Sequence, residues 1–442
     1  MARALLLACT AAVALVGCAT VSAPAPDTLD RIADDYVLLQ LTIGEKEDGY
    51  IDAYYGQAEV KTRAVAEAPA ASLPELEARA VALRVRAQGF SDDGQPGDSA
   101  EERRARFLAA QLTAARTRLK MLRGERLSFA DEAEGLFGVR PDLVDLATLD
   151  AVLTELDALV PGAGPLWQRV DAFQNRFNLP ADRIRPVMDA AIAECRRRTL
   201  DRMPLPAGER FDLALVTDKP WSGYNYYQGG YHSKIEINTD LPIRLDRAVD
   251  LGCHEGYPGH HAFNALIERD LVNGRGWQEF TVYPLYSPQS LIAEGSANYG
   301  IELAFPGAEQ LAFETQVLAP LAGIPADGLA DYARLRAAMQ RLGAARYTIS
   351  ARYLAGEISA DEAKALLQRY QLLSPERAAQ SLRFTDTYRS YVINYGLGRD
   401  MVRAAIEAGG ADSATRWQRM ERLLAEPTLP ADLVAAAGTL PR

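Results

Sequence analysis

The sequence predicts a mainly α-helical protein: a large helical domain carrying a small antiparallel β-sheet. Three observations lead there. Alanine, leucine, glutamate and arginine dominate most of the chain, and β-branched runs are scarce, a composition that favours helix. Apolar residues recur at helical spacing almost continuously from Thr28 to about Met203. A short region near 209–240 breaks that rhythm with period-2 alternation. Hydrophobic residues make up 48% of the chain and charged residues 24%, which is globular usage rather than disorder. The net charge is −11 and no block of Lys and Arg stands out, so no nucleic-acid partner is expected.

Residues 1–17 have the layout of a secretory signal: Arg3 supplies the positive start, and Ala4 to Val16 form an apolar run too short to span a bilayer. The segment ends in Leu15-Val16-Gly17-Cys18, which resembles a bacterial lipobox. That reading makes Cys18 the acylated N-terminus and the membrane a partner through its lipid. An ordinary signal peptide with an incidental cysteine is the plainer alternative. Residues 18–28, rich in Ala, Pro and Ser, read as a tether. Ala19 follows the cysteine, with no Asp to hold the protein at the inner membrane, so the expected location is the outer membrane, facing the periplasm. Residues 29–442 are then expected to form a single helical domain. Outside the signal only Cys195 and Cys253 remain, which allows one bridge in an oxidising compartment but no disulfide framework.

Helical patterns run near 29–43, 58–89, 98–123, 128–137, 147–158 and 181–203, with Pro180 suited to the first position of the last. Ser233 to Asn238 alternates polar and apolar residues as a strand does. Phe211 to Val216 alternates more loosely and reads as its partner. Between them, Trp221 to Tyr231 is expected to be an aromatic, Gly-rich loop. After Leu241 helices are expected to resume and continue to the end.

The sharpest signal is His254-Glu255-Gly256-Tyr257-Pro258-Gly259-His260. The chain has four histidines, and three of them, His254, His260 and His261, fall within this short stretch and the residue after it. Neutral imidazole is a preferred Zn²⁺ ligand, and a Glu beside the first His suits a general base. The spacing departs from H-E-x-x-H: residues six apart on a regular helix point about 120° apart. Pro258 and Gly259 are expected to distort the helix and swing His260 back toward His254. His261 returns to the first face but lies roughly 10.5 Å along it, so it is the lesser candidate for ligand or supporting residue. Glu294, in an apolar helical stretch between small residues, is the expected third ligand. Ser287 and Pro288 would start its helix.

These residues resemble a bacterial family known as domain of unknown function 885, which carries H-E-x-x-P-G-H and a later E-G-x-A-x-Y. The matches are His254-Glu255-x-x-Pro258-Gly259-His260 and Glu294-Gly295-x-Ala297-x-Tyr299. Ser296 stands where the family commonly has Trp. Tyr395-Gly396-Leu397-Gly398 looks like the family's Tyr-x-x-Gly segment, although the Pro-Gly-Gln run before it is missing. The family is similar to helical zinc peptidases, in which two His and a Glu from neighbouring helices hold the metal. That likeness implies peptide substrates, Glu255 as base, and Tyr395 or Tyr391 as donor to the oxyanion. It also implies a substrate strand beside the site, which makes Asn238 and the Tyr224 to Tyr231 aromatic loop substrate-side candidates; His232 is a candidate oxyanion donor or a structural residue. A zinc hydrolase of another amide or ester, and a non-catalytic zinc-binding lipoprotein, stay open.

Overall fold

The computed structural model describes residues 27–91, 99–219 and 221–438. The signal, Cys18 and most of the tether lie outside the described residues. The fold is mainly helical, as expected, and no helix among the described residues is long and apolar enough to cross a membrane.

The first helix, α1 (Leu29–Gly44), is capped by Thr28, whose side chain accepts from the N–H of Arg31. From Tyr36 to Ile43 every residue is buried, so α1 is a core helix rather than a surface one. It delivers the chain into a short strand, β1 (Ile51–Tyr54), which the sequence pattern did not announce. The single helix expected over 58–89 is two, Ala58–Glu67 and Leu73–Gln88. The break is chemical: Ser72 and Glu75 form a reciprocal capping box that starts the second helix. Helices Ala100–Leu122, Phe129–Phe137 and Asp150–Leu159 follow close to expectation. Helix Leu166–Gln174 was missed. The helix after Pro180 begins as a 3₁₀ turn and continues as α2 (Ile184–Leu200).

Strands β2 (Arg210–Val216) and β4 (His232–Asn238) form where alternation placed them. The supposed aromatic loop contributes a third strand, β3 (Gly223–Tyr227). The sheet order is β2-β4-β3. β3 runs antiparallel to β4, with Gly223 opposite Ile237, whereas β2 runs parallel to β4, with Phe211 opposite Ser233. The sheet is therefore mixed, not antiparallel. The aromatic segment takes one edge of β4 as a hairpin, and β2 can then pair only on the other edge. β4 is central and β3 is an edge strand.

Next come α3 (Leu245–Leu251) and α4 (His260–Ile267). The helical run is interrupted once more by β5 (Val282–Pro284), which pairs antiparallel with β1. Then follow α5 (Pro288–Ala304), α6 (Pro375–Tyr388) and α7 (Ile393–Glu407). α5 does start at Pro288, but the Ser287 hydroxyl donates to the Pro284 carbonyl instead of capping. α5 is buried on nearly all sides, the mark of a central helix. α7 crosses it in backbone contact: a Cβ on Gly295 would lie 2.5 Å from the carbonyl carbon of Gly398. Any side chain there would push the two helices apart. The glycines of both motif segments are thus the crossing point that holds Tyr395 over Glu294's turn.

Candidate metal centre

The distortion expected at Pro258-Gly259 is larger than a bulge. After α3 the chain makes one π-helical turn, Gly252–Gly256, carrying His254 and Glu255. Wider turns of this kind often sit at functional sites. Tyr257 then leaves the helix with extended angles, its bond to Pro258 is cis, and α4 starts afresh at His260. Gly259 makes this restart possible. Its N–H donates to the Cys253 carbonyl at 3.0 Å, and a Cβ there would lie 1.8 Å from the His254 carbonyl oxygen. Cys253 is disulfide-bonded to Cys195 on α2, which fixes the residue before His254 to a second helix.

The result brings two imidazoles together, with ring centroids 4.6 Å apart and planes at 88°. Both face Glu294. Its Oε2 is 3.2 Å from His254 Nε2 and 3.7 Å from His260 Nε2. Its Oε1 accepts from the Tyr391 hydroxyl at 2.9 Å. Oε2 is buried without a hydrogen-bond partner. Ligands held at about 2.0–2.1 Å around a tetrahedral ion stand about 3.3–3.5 Å from one another, so the spacing and the orphaned oxygen are both compatible with a bound metal ion. Burial pushes the Glu294 carboxyl up, but the two histidines beside it outweigh this and hold it well below the usual range.

Glu255 is the second acid at this point. Ligand atoms of His254, Glu255 and His260 lie within 4.8 Å of one another, so two carboxylates face one imidazole pair. Their environments separate them. Glu294 is pinned by Tyr391 and aimed at both rings. Glu255 lies against the β3 edge, where a Cβ on Gly223 would come 2.7 Å from its Oε1. Burial raises the Glu255 carboxyl above its ordinary value despite the nearby histidines. A carboxyl tuned upward beside a metal site suits proton transfer.

The other expected residues divide sharply. Tyr395 lines the same cavity, its ring nearly parallel to His254 at 6.4 Å. Burial keeps its phenol protonated far above the usual range, so it can donate but not act as base. Tyr391 is held to Glu294 and supports it. His261 points away: its Nε2 is 2.9 Å from Glu209 and its Nδ1 is 2.8 Å from the Ser233 hydroxyl. Neither nitrogen is open to an ion on the His254 side. His232 pairs with Asp212, Tyr231 donates its N–H to Glu268, and Asn238 donates to the carbonyls of Lys219 and Trp221. None of these three lines the cavity. Asn238 and His232 lie on β4, the central strand, whereas the edge strand beside the cavity is β3.

A cavity of about 490 Å³ opens over the cluster. Sequence reasoning missed several of its walls, Asp52 on β1, Arg346, Arg377 and Phe384, whereas Tyr224 of the expected aromatic loop does line it, from β3. The Tyr224 hydroxyl donates to Asp52, and burial pushes the Asp52 carboxyl up to about 6. No spacing links these residues to the motif; only the alternating, aromatic run Ile51 to Tyr55 offered a signal for β1.

No family model matches the chain, and no curated protein matches it. The resemblance to domain of unknown function 885 therefore rests on the motif residues alone. Among solved structures the chain is similar to "the putative lipoprotein from Colwellia psychrerythraea", at 16% identity and a TM-score of 0.50, over 85% of this chain and 72% of that one. It is similar to "a putative lipoprotein of unknown function from Shewanella oneidensis" at 13% identity and a TM-score of 0.44, over 89% and 82% of the two chains. An "M32 carboxypeptidase from Deinococcus radiodurans R1" matches at 13% identity and a TM-score of 0.38, over 93% and 94%. The first of these likenesses shows a common fold.

Proposed function

We propose that this chain is a zinc-dependent hydrolase that cleaves peptide bonds. One observation carries the reading: a buried Glu294 oxygen with no partner, facing two imidazole nitrogens, beside a second buried carboxyl, that of Glu255. His254, His260 and Glu294 would hold the ion. Bound zinc would supply Lewis acidity, polarising a carbonyl and bringing the pKa of water toward about 7. Glu255 takes the proton from the attacking water and passes it to the leaving nitrogen. The Tyr395 hydroxyl donates to the developing oxyanion. The β3 edge, running past Glu255 at Gly223, offers backbone groups to an extended substrate.

Peptide specificity rests on the motif resemblance and on this edge. The test is digestion of a peptide library beside a panel of ester substrates, before and after chelation and after zinc is restored. Zinc-dependent peptide cleavage is expected; turnover confined to esters would move the reading to another hydrolase. A non-catalytic zinc lipoprotein would fill its coordination with protein, and His261, the residue suited to that, is engaged elsewhere.

We also propose that Cys18 carries the lipid anchor, at the outer membrane and facing the periplasm. The pairing of Cys195 with Cys253 fits an oxidising compartment. Cys18→Ser should abolish incorporation of labelled palmitate; retained label would defeat the anchor.

A further inference from the structure

The cations of the cavity are harder to account for than its acids. α6 presents one face to it through Arg377, Gln380, Ser381, Phe384 and Tyr388, the spacing of a helical stripe. Arg346, on helix Ala345–Leu354, joins that wall. Arg346 makes neither ion pair nor hydrogen bond among the described residues, its Nε is buried without a partner, and its guanidinium lies 5.2 Å from the Phe384 ring. Arg377 has one bond, from Nη2 to the Pro242 carbonyl at 3.2 Å, and the like charges of Arg244 and Arg247 press on it. Arg247 is different: it is taken by Asp250 and by the Ser222 hydroxyl.

The chain holds 59 acidic side chains against 48 Lys and Arg, so carboxylate partners were plentiful. Leaving the Arg346 guanidinium without a partner, and Arg377 with only a carbonyl, is costly unless something else supplies the anion. The remaining polar groups of that wall, Gln380 and Ser381, are neutral. Arg346 is also close to the chemistry. Its charge acts on the Tyr395 phenol, and the Tyr395 ring lies over His254. Arg346, Tyr395, His254 and Glu294 all line the one cavity, so a substrate spanning it from the cluster to this wall would bring a carboxylate to Arg346.

We infer that Arg346, backed by Arg377, anchors the C-terminal carboxylate of the substrate, so that the enzyme releases residues from peptide C-termini. This rests on the hydrolase reading above. The planar guanidinium fork matches a carboxylate with two parallel bonds. In the reaction the last C–N bond breaks and water adds across it, oxygen to the acyl carbon and hydrogen to nitrogen. The products are a shortened peptide with a new carboxylate and a free amino acid. An acidic side chain of the substrate would present the same chemistry, and the test separates the two.

Zinc-loaded protein is assayed on acetyl-Ala-Ala-Phe, on its C-terminal amide, and on acetyl-Ala-Ala-Glu-amide. The free acid should lose its last residue, and amidation should lower kcat/KM by at least about thirtyfold. Arg346→Gln should lower kcat/KM on the free acid by a similar factor, mainly through KM, and leave zinc content and the rate on the amide unchanged. Arg346→Lys should recover part of the loss. Equal cleavage of acid and amide, or an equal loss on both in Arg346→Gln, overturns the anchor. An Arg346-dependent preference for the Glu amide over the Phe amide overturns its C-terminal assignment. Calorimetric titration of the Glu255→Gln protein with acetyl-Phe and acetyl-Phe-amide reads the anchor without turnover. A preference for the acid that Arg346→Gln removes supports the anchor even if no peptide is cleaved, a failure that would then belong to the hydrolase reading alone. Absence of that preference overturns the anchor even where peptides are cleaved.

Discussion

His260 and His261 are adjacent in sequence and share a helix start, yet they serve opposite ends. His260 turns toward His254 and a Glu294 oxygen that has no hydrogen-bond partner. His261 turns to the sheet side, where Glu209 and Ser233 occupy both ring nitrogens. Glu209 itself is saturated by Arg196, the Tyr257 hydroxyl and His261. Both clusters are buried combinations of imidazole and carboxylate. What separates them is satisfaction. Buried polar groups are normally hydrogen-bonded, and an exception asks for an explanation. The His261 cluster is complete as protein; the His260 cluster leaves a buried carboxylate oxygen without a partner. Charge follows the same division. Burial lowers His261 below its ordinary value, against the pull of Glu209. His254 is drawn above its ordinary value: burial opposes this, but Glu294 and Glu255 prevail.

The comparison breaks first at Glu294. Glu294→Ala removes the oxygen that both imidazoles face, and zinc affinity should fall by more than about a hundredfold, since even supporting residues of metal sites cost 10–100-fold. Competition against a chelator of known affinity checks this, and full zinc occupancy at wild-type affinity would end the three-ligand scheme. Glu255→Gln asks the next question. It should leave zinc bound while turnover drops by about 10²–10⁴-fold, the usual contribution of general acid–base catalysis. Loss of zinc in this variant would make Glu255 a ligand; unchanged turnover would exclude it as the base.

The sequence exposed the cluster of His254, His260 and Glu294 because its signal is local. Scarce histidines lay close together around a proline and a glycine, and Glu294 was visible through its small neighbours. Periodicity also located most helices and two strands of the mixed sheet. What it could not expose was pairing. Nothing in Trp221 to Tyr231 says that the aromatic run forms a strand on the far edge of β4, so it was expected as a loop. Asp52 reaches the cavity because β1 pairs with β5, more than two hundred positions later. Arg346 and Arg377 reach it through helix packing alone. The helix break at Ser72 was legible in principle, since Ser72 and Glu75 have capping-box spacing, but the continuous apolar rhythm around it concealed the stop.

The smallest expected effect lies in the complete cluster and is the finest test of the distinction. Glu209→Gln keeps the shape of the side chain but removes the charge that Arg196, Tyr257 and His261 share. Glu209 is buried, and although burial raises its carboxyl, bonds from His261, Tyr257 and Arg196 hold it below the ordinary value, so the variant weakens several bonds at once. Hydrogen bonds to charged groups contribute about 1.5–3 kcal/mol each, but an amide retains part of them, so a stability loss of about 2 kcal/mol is expected from denaturant titration. Zinc stoichiometry should be unchanged and affinity altered by less than about tenfold, because Glu209 reaches the ion's ligands only through Tyr257 and His261 and faces neither His254 nor His260. If zinc were lost as severely as in Glu294→Ala, the two clusters would be one network, and saturation by hydrogen bonds would no longer tell a supporting histidine from a ligand here.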